Sequence, residues 1–145
     1  MQGRVLAIDV GTRRVGLAIS DASCTLARPL ETIMVTSDAD AVDRIIRRIR
    51  ELSEEDGSLG AIVVGMPSRL DGTPSPETAH VAAFVDRLKA RTSLPITTEG
   101  ERLSSREAES RLAVHERDWR KRKKKLDAAA AAIILQDYLD RPRPG

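Results

Sequence analysis

The sequence predicts an α/β fold: a mixed sheet of five strands, the first three antiparallel and the rest parallel, with helices on both faces. Three observations predict it. Two apolar segments rich in β-branched residues, Arg4 to Val10 and Arg14 to Ser20, flank a short Gly11-Thr12-Arg13 connection, the pattern of a hairpin. Ala61 to Gly65 is a continuous apolar run bounded by glycines, as in a strand buried on both faces. From Asp38 onward helical and strand signals alternate, and right-handed crossovers turn such alternation into parallel pairing.

Taken in order, the hairpin is followed by a third strand within Thr25 to Val35, its limits blurred by Pro29. Ala39, Val42, Ile45, Ile46, Ile49 and Leu52 then recur at three- and four-residue steps, the stripe of an amphipathic helix starting near Asp38. Arg44, Arg47, Arg48 and Arg50 occupy its other face. After the Ala61 to Gly65 strand, Met66 to Pro74 reads as a loop. Ser75 offers an N-cap and Pro76 the favoured first position of a helix that carries Val81, Phe84, Val85 and Leu88. Leu94 to Thr98 predicts a strand, and Ser104 with Glu107 a capping box before a helix containing Ala108 and Leu112. An alanine-rich final helix is expected from near Leu126 to the Arg141-Pro142-Arg143-Pro144-Gly145 terminator. The order is β-β-β-α-β-α-β-α-α with no internal repeat, which fits one domain over residues 1–141 and a short tail, 142–145.

Composition removes several classes of function. Of the 145 residues, 41% are hydrophobic and 32% charged, enough for a core and against disorder. The single cysteine, Cys24, allows no intrachain disulfide, which points to a reducing, cytoplasmic setting. Ala128 to Leu135, the longest apolar run, is far short of the roughly 20 residues of a membrane span. Aromatics are too few, at 2%, for stacked single-strand platforms. The net charge of +2 conceals an asymmetry: residues 102 to 125 hold ten Lys/Arg against four Asp/Glu, while the remainder is net negative. Local basicity of this kind suits an anionic partner, with nucleic acid the commonest.

Three acids stand out by placement. Asp9 shares a strand face with Val5 and Ala7 near the end of a buried strand, where an uncompensated carboxylate is costly. Asp127 falls on the helix face of Ala130, Ala131, Ile134 and Tyr138, the side expected to pack on the sheet. Glu101 follows the strand from Leu94, at the sheet end where open α/β folds keep their ligand sites. For each there is a plainer alternative: a turn-satisfied aspartate, a helix-dipole acid and a loop glutamate. Together they would suit one or two hard cations, Mg²⁺ or Mn²⁺, which prefer oxygen ligands and relieve the repulsion between clustered carboxylates.

These segments resemble the YqgF/RuvX family: Arg4 to Asp21, containing Ile8-Asp9-Val10-Gly11-Thr12; Ile62-Val63-Val64-Gly65-Met66-Pro67 with Asp71-Gly72; Glu101-Arg102-Leu103-Ser104-Ser105; and Arg122-Lys123-Lys124-Lys125-Leu126-Asp127 with Ala129 to Leu139. The resemblance spans nearly the whole chain. It implies an RNase H-like fold related to the RuvC resolvases and a metal-dependent nuclease, with members described as Holliday junction resolvases or as nucleases maturing the 5′ end of precursor 16S rRNA. The family's acidic positions fall on Asp9, Glu101 and Asp127, as catalytic residues and ligands of Mg²⁺ or Mn²⁺. In one departure, Gly100 stands where the family usually has aspartate before Glu-Arg, and strand alternation turns Glu99 the other way.

Nucleic-acid contacts are expected from Thr12 and Arg13 in the first turn, from Arg69 on the loop that also holds Asp71, from Arg102, and from the run Arg120, Lys121, Arg122, Lys123, Lys124 and Lys125. Six self-repelling cations read as a mobile segment that orders on a polyanion. His80 and His115 lack a second histidine or cysteine at ligand spacing and read as structural or exposed, and Cys24, with no base near it, reads as inert. The expected partner is rRNA precursor or branched or linear DNA, met by a monomer or a homodimer, with no membrane involved. Two other readings compete. Asp9-Val10-Gly11-Thr12 also resembles the phosphate motif of actin- and Hsp70-like ATPases, of which this chain is long enough for one half only. A non-catalytic nucleic-acid-binding module would use the basic run and leave the acids idle.

Overall fold

A computed structural model describes residues 3–55, 59–67, 75–100 and 119–141, with side chains through 3–55, 59–67, 75–100 and 128–141. Its elements are β1 (Arg4–Val10), β2 (Arg14–Ser20), β3 (Ala27–Met34), α1 (Asp38–Ser53), β4 (Leu59–Met66), α2 (Pro76–Lys89), β5 (Ile96–Gly100) and α3 (Trp119–Asp140). The five strands form one sheet in the order β3-β2-β1-β4-β5. β1 pairs antiparallel with β2 and β2 with β3, whereas β1–β4 and β4–β5 are parallel. The expected mixed sheet is therefore the observed one. The helix expected after Ser104 and the 142–145 tail lie outside the described residues.

β1 sits at the centre, and its alternating side chains feed two cores. Leu6 and Ile8, with Leu17, Ile19, Ile62 and Val64, face α1 and α2. Val5, Ala7, Ala18 and Val63 face the opposite way, against Ala131, Ile134 and Leu135 of α3. Small residues on this second face let the helix lie close to the sheet. In α1 the buried stripe is Ala41, Val42, Ile45, Ile46, Ile49 and Leu52. Ala41 takes the place expected for Ala39, which is exposed because it falls in the first turn, on the solvent side. Each large apolar residue buried there contributes roughly 1.5–3 kcal/mol.

Three element boundaries differ from the sequence expectation. β4 is longer than Ala61 to Gly65, since Leu59 pairs with Arg4 and Met66 with Gly100. β5 begins at Ile96 rather than Leu94, because pairing with Ile62 starts there; Leu94 still packs against the first core. The largest shift is in α3, which starts at Trp119 rather than near Leu126, so the run Arg120 to Lys125 is helical. Lys and Arg are good helix formers, and the alanine-rich stretch behind them propagates the helix backward. Pro29 is accommodated on the edge strand, beside a register shift between Leu17 and Ala18.

Caps define how the helices join the sheet. Ser37 Oγ accepts from Asp40 N at 3.0 Å, and Asp40 in turn accepts from Thr36 N at 2.8 Å and from Arg44 Nε at 3.0 Å. The Thr36 N–H first, and then Arg44, hold the Asp40 carboxyl below the usual carboxylate range. Thr78 does the same work in α2: its Oγ1 accepts from Ser75 N at 2.8 Å and donates to Pro67 O at 2.7 Å, tying the helix start to the exit of β4. His80 Nε2 lies 2.8 Å from Asp38 Oδ1 and links α2 to α1, in keeping with a structural role.

Asp40→Asn is expected to lower the thermal midpoint at pH 7. A lowered folded-state pKa stabilises above the unfolded value and is lost as pH falls through the folded one. The gap between variant and parent in thermal melts will therefore close as the pH drops below 3.8, the carboxyl's ordinary value.

Candidate functional site

Asp9 stands one residue from the carboxyl end of β1, half-buried. Alternation from Val5 and Ala7 turns it toward α3, as the sequence predicts. Its cross-strand partner on β2 is Gly16, which pairs in turn with Thr32. On the other side β4 runs in register Ile8 to Val64, which brings Gly65 beside Asp9, and Gly65 pairs with Glu99. One row across the sheet thus reads Thr32, Gly16, Asp9, Gly65, Glu99. In-register neighbours point to the same face, so the positions flanking Asp9 in this row are both glycines and add no side chain beside its carboxylate. A carboxylate is a hard oxygen donor of the kind that a divalent cation prefers.

The turn after Asp9 is tight. Gly11 N donates to Arg14 O at 2.9 Å, and a Cβ at Gly11 would lie 2.5 Å from that same carbonyl oxygen. Only glycine fits so close an approach of backbone to backbone. The turn presents Thr12 and Arg13 to solvent at the carboxyl end of β1, while Arg13 O accepts from Val35 N at 2.9 Å and fixes its base.

α3 is positioned by Gln136. Its Oε1 accepts from Ala27 N at 2.9 Å, and its Nε2 donates to Thr25 O at 3.0 Å, at the start of β3. Ala129, Ala132 and Ile133 line a shallow groove with Ala27 and Pro29. Ala131, Ile134 and Leu135 seat the helix on the sheet face that carries Val5 and Ala7. Position 127 comes one turn before Ala131, which packs on Val5 and Ala7. Ala130 departs from the expected face: it is buried in a separate cluster with Ile133.

Sequence reasoning passes over Glu99. Alternation does turn it away from Gly100, but the side it faces is that of Asp9 and α3. It is only 4% exposed, and Oε2 meets Arg141 Nη2 at 2.6 Å. Burial pushes its carboxyl up from the usual value; Arg141 opposes that shift and nearby Asp137 adds to it. Its signal in the sequence is the Thr97/Glu99 alternation in a strand next to β4, which becomes readable only once the register is known. Gly100 alternates to the other face, and among the described residues nothing lies within 4 Å of where its Cβ would stand.

Of the expected site residues, the structure thus places Asp9, Thr12 and Arg13 together at one end of the sheet. Glu101, Arg69 and Arg102 lie outside the described residues. For Arg120, Lys121, Arg122, Lys123, Lys124, Lys125 and Asp127 the helical backbone alone is described. Among the described residues, no three His, Cys, Asp or Glu side chains form a metal-holding group, and no helix is long and apolar enough to cross a membrane. Cys24 Sγ donates to Gly3 O at 3.3 Å, near the amino end of β1 and far along the strand from Asp9.

A central acid-bearing strand between an antiparallel hairpin and parallel strands, with helices on both faces, is an RNase H-like α/β architecture. The same fold occurs in Thermus thermophilus RuvC bound to a Holliday junction substrate, with a TM-score of 0.54 over 95% of this chain and 94% of that one at 18% identity. The chain belongs to the RuvX (YqgF) family, whose profile, described as Holliday junction resolvase, matches residues 3–141. Relatives bearing the name "Putative pre-16S rRNA nuclease" include one from Roseiflexus sp. (strain RS-1), 40% identical over 97% of this chain and 96% of its own length. Another, from Chloroflexus aurantiacus, is 42% identical over 96% of this chain and 88% of its own. The family is one of nucleases.

Two substitutions test the geometry of the site. Gly100→Asp is expected to fold with an unfolding free energy within about 0.5 kcal/mol of the parent, as for an unencumbered surface change. Gly11→Ala is expected to cost on the order of 1–3 kcal/mol by the overpacking of its turn. Urea titrations of both variants read these differences directly.

Proposed function

We propose that the protein is a divalent-metal-dependent nuclease that hydrolyses phosphodiester bonds of structured nucleic acid, in processing of the precursor 16S rRNA 5′ end, in resolution of Holliday junctions, or in both. The observation that carries this reading is the Asp9 carboxylate, facing α3 between two glycines at the carboxyl end of the central strand, in a chain of the RuvX family. Asp9, Glu101 and Asp127 would hold one or two Mg²⁺ or Mn²⁺ ions. Such ions activate water and stabilise the leaving oxygen of a phosphodiester.

The protein's own contribution is charge and position. Clustered carboxylates repel one another, so the acids are poised for cation binding and unsuited to bind phosphate alone. Thr12 and Arg13, projecting at the same sheet end, would contact the substrate backbone, with Arg69 and Arg102 in support. Arg120 to Lys125 lie in the turns of α3 before position 127. They would grip phosphates on either side of the cut and guide the backbone toward the acids. No covalent enzyme intermediate is required. The setting would be the cytoplasm. A junction cut symmetrically calls for a homodimer, whereas trimming one RNA end needs a monomer only.

Asp9→Asn is expected to abolish Mn²⁺-dependent cleavage of labelled four-way junctions and precursor-rRNA 5′ ends while leaving binding intact. Binding without cleavage by the parent protein on every substrate would instead favour the non-catalytic module and turn attention to Gly100. Replacing Lys123, Lys124 and Lys125 by alanine is expected to weaken binding across sequences. It should also reduce the slope of log K against log salt by about one for each phosphate no longer neutralised. An unchanged slope would remove the basic run from the binding surface.

A further inference from the structure

We propose that Glu99 and Arg141 form a positioning clamp that sets the swing of α3 across the sheet, and with it the distance between position 127 and Asp9. For the role of Asp127 this rests on the nuclease reading; the mechanical part stands on the geometry alone. Arg141 extends the last turn of α3, its N–H donating to Tyr138 O at 3.4 Å, and its guanidinium reaches down to Glu99 on β5. Gln136 fastens the same helix to the opposite edge, at Ala27. The helix is thus tied to the two outermost strands, while Ala131, Ile134 and Leu135 rest on the central ones.

The arms of this lever are equal. Ile134, fully buried under the helix, lies seven residues from 127 and seven from 141, about 10 Å each way at 1.5 Å per residue. A helix that pivots at Ile134 moves position 127 by about as much as it moves Arg141, in the opposite sense. Release of about 1 Å at the clamp therefore becomes about 1 Å at the other end. Metal ligands tolerate a few tenths of an ångström, so such a shift is large for coordination and small for folding. An ion pair with one partner in solvent is a poor source of net stability, yet it favours one arrangement of the helix over its neighbours. With Glu99 only 4% exposed and Arg141 63% exposed, the clamp is a fixed carboxylate on the sheet holding a movable cation on the helix.

Trp119, the single tryptophan, begins α3 at the end remote from Arg141, and so provides a reporter. Arg141→Ala, Arg141→Lys, Glu99→Gln and the double variant Glu99→Gln/Arg141→Ala are compared at a temperature where all melt cooperatively well above the assay. The clamp predicts that Arg141→Ala changes acrylamide quenching of Trp119 and that Arg141→Lys largely restores the parent value. The double variant should be no worse than either single one. The Mn²⁺ concentration for half-maximal cleavage should rise on the order of tenfold in Arg141→Ala, with junction affinity unchanged. Unaltered Trp119 quenching in Arg141→Ala overturns the clamp, because a purely local pair has no means of reaching the far end of the helix. Altered quenching with an unaltered Mn²⁺ requirement overturns its link to the site. Altered quenching in a protein whose parent cleaves nothing retains the lever and discards the nuclease reading. Should Glu99→Gln fail to fold, the alanine and lysine variants of the exposed Arg141 decide the matter alone.

Discussion

The backbone hydrogen bonds that hold β1 between an antiparallel and a parallel neighbour are the constraint from which the rest of the structure follows. A strand paired on both edges and covered on both faces has no freedom to slip, since a one-residue shift would exchange Leu6 and Ile8 with Val5 and Ala7 between two unlike cores. That locks Asp9 to the α3 side of the sheet. It also locks the row in which Asp9 lies, because β2 and β4 take their register from β1, and β5 takes its own from β4. A carboxylate near the end of so rigid a strand is placed with far more precision than one on a loop.

The two faces divide the labour. On the α1/α2 side large aliphatic residues fill a deep core in which little polar chemistry could be accommodated. On the α3 side alanines and glycines replace them, and the helix can approach the strands closely. Close approach limits water and strengthens any electrostatic interaction beneath the helix. The burial of Glu99 shows the consequence: its carboxyl is drawn toward the neutral form by desolvation even with Arg141 in contact.

Much of this is legible in the sequence because it is written in hydrophobic period. The stripes of α1 and α2, the alternation of β1 and β2, and the apolar run inside β4 each have one dominant reading, and the caps at Ser37 and Ser75 agree with them. Asp9 is visible for the same reason: it breaks a pattern that otherwise demands an apolar residue. The start of α3 is obscured by competing effects, since the mutual repulsion of Arg120 to Lys125 argues against order and their helix propensity argues for it; propagation from the alanine run prevails. Glu99 is obscured by distance. Its partner Arg141 is 42 residues further along the chain, and its common row with Asp9 exists only after three strands have been set in register. Ala39 and Ala41 are interchangeable to a periodicity argument near a helix end, and only the entry angle of the chain separates them.

The bulge and proline of β3 have a consequence beyond local pairing. An edge strand normally offers its unpaired N–H and C=O groups to any extended peptide that drifts past, which makes it a seed for sheet growth between molecules. Here Pro29 has no N–H to offer, the register shift breaks the spacing, and α3 lies alongside through Ala129, Ala132 and Ile133. At the other margin β5 is five residues long, too short to template a stable ribbon. Among the described residues, both margins are therefore poor templates for continuing this sheet into that of a second molecule.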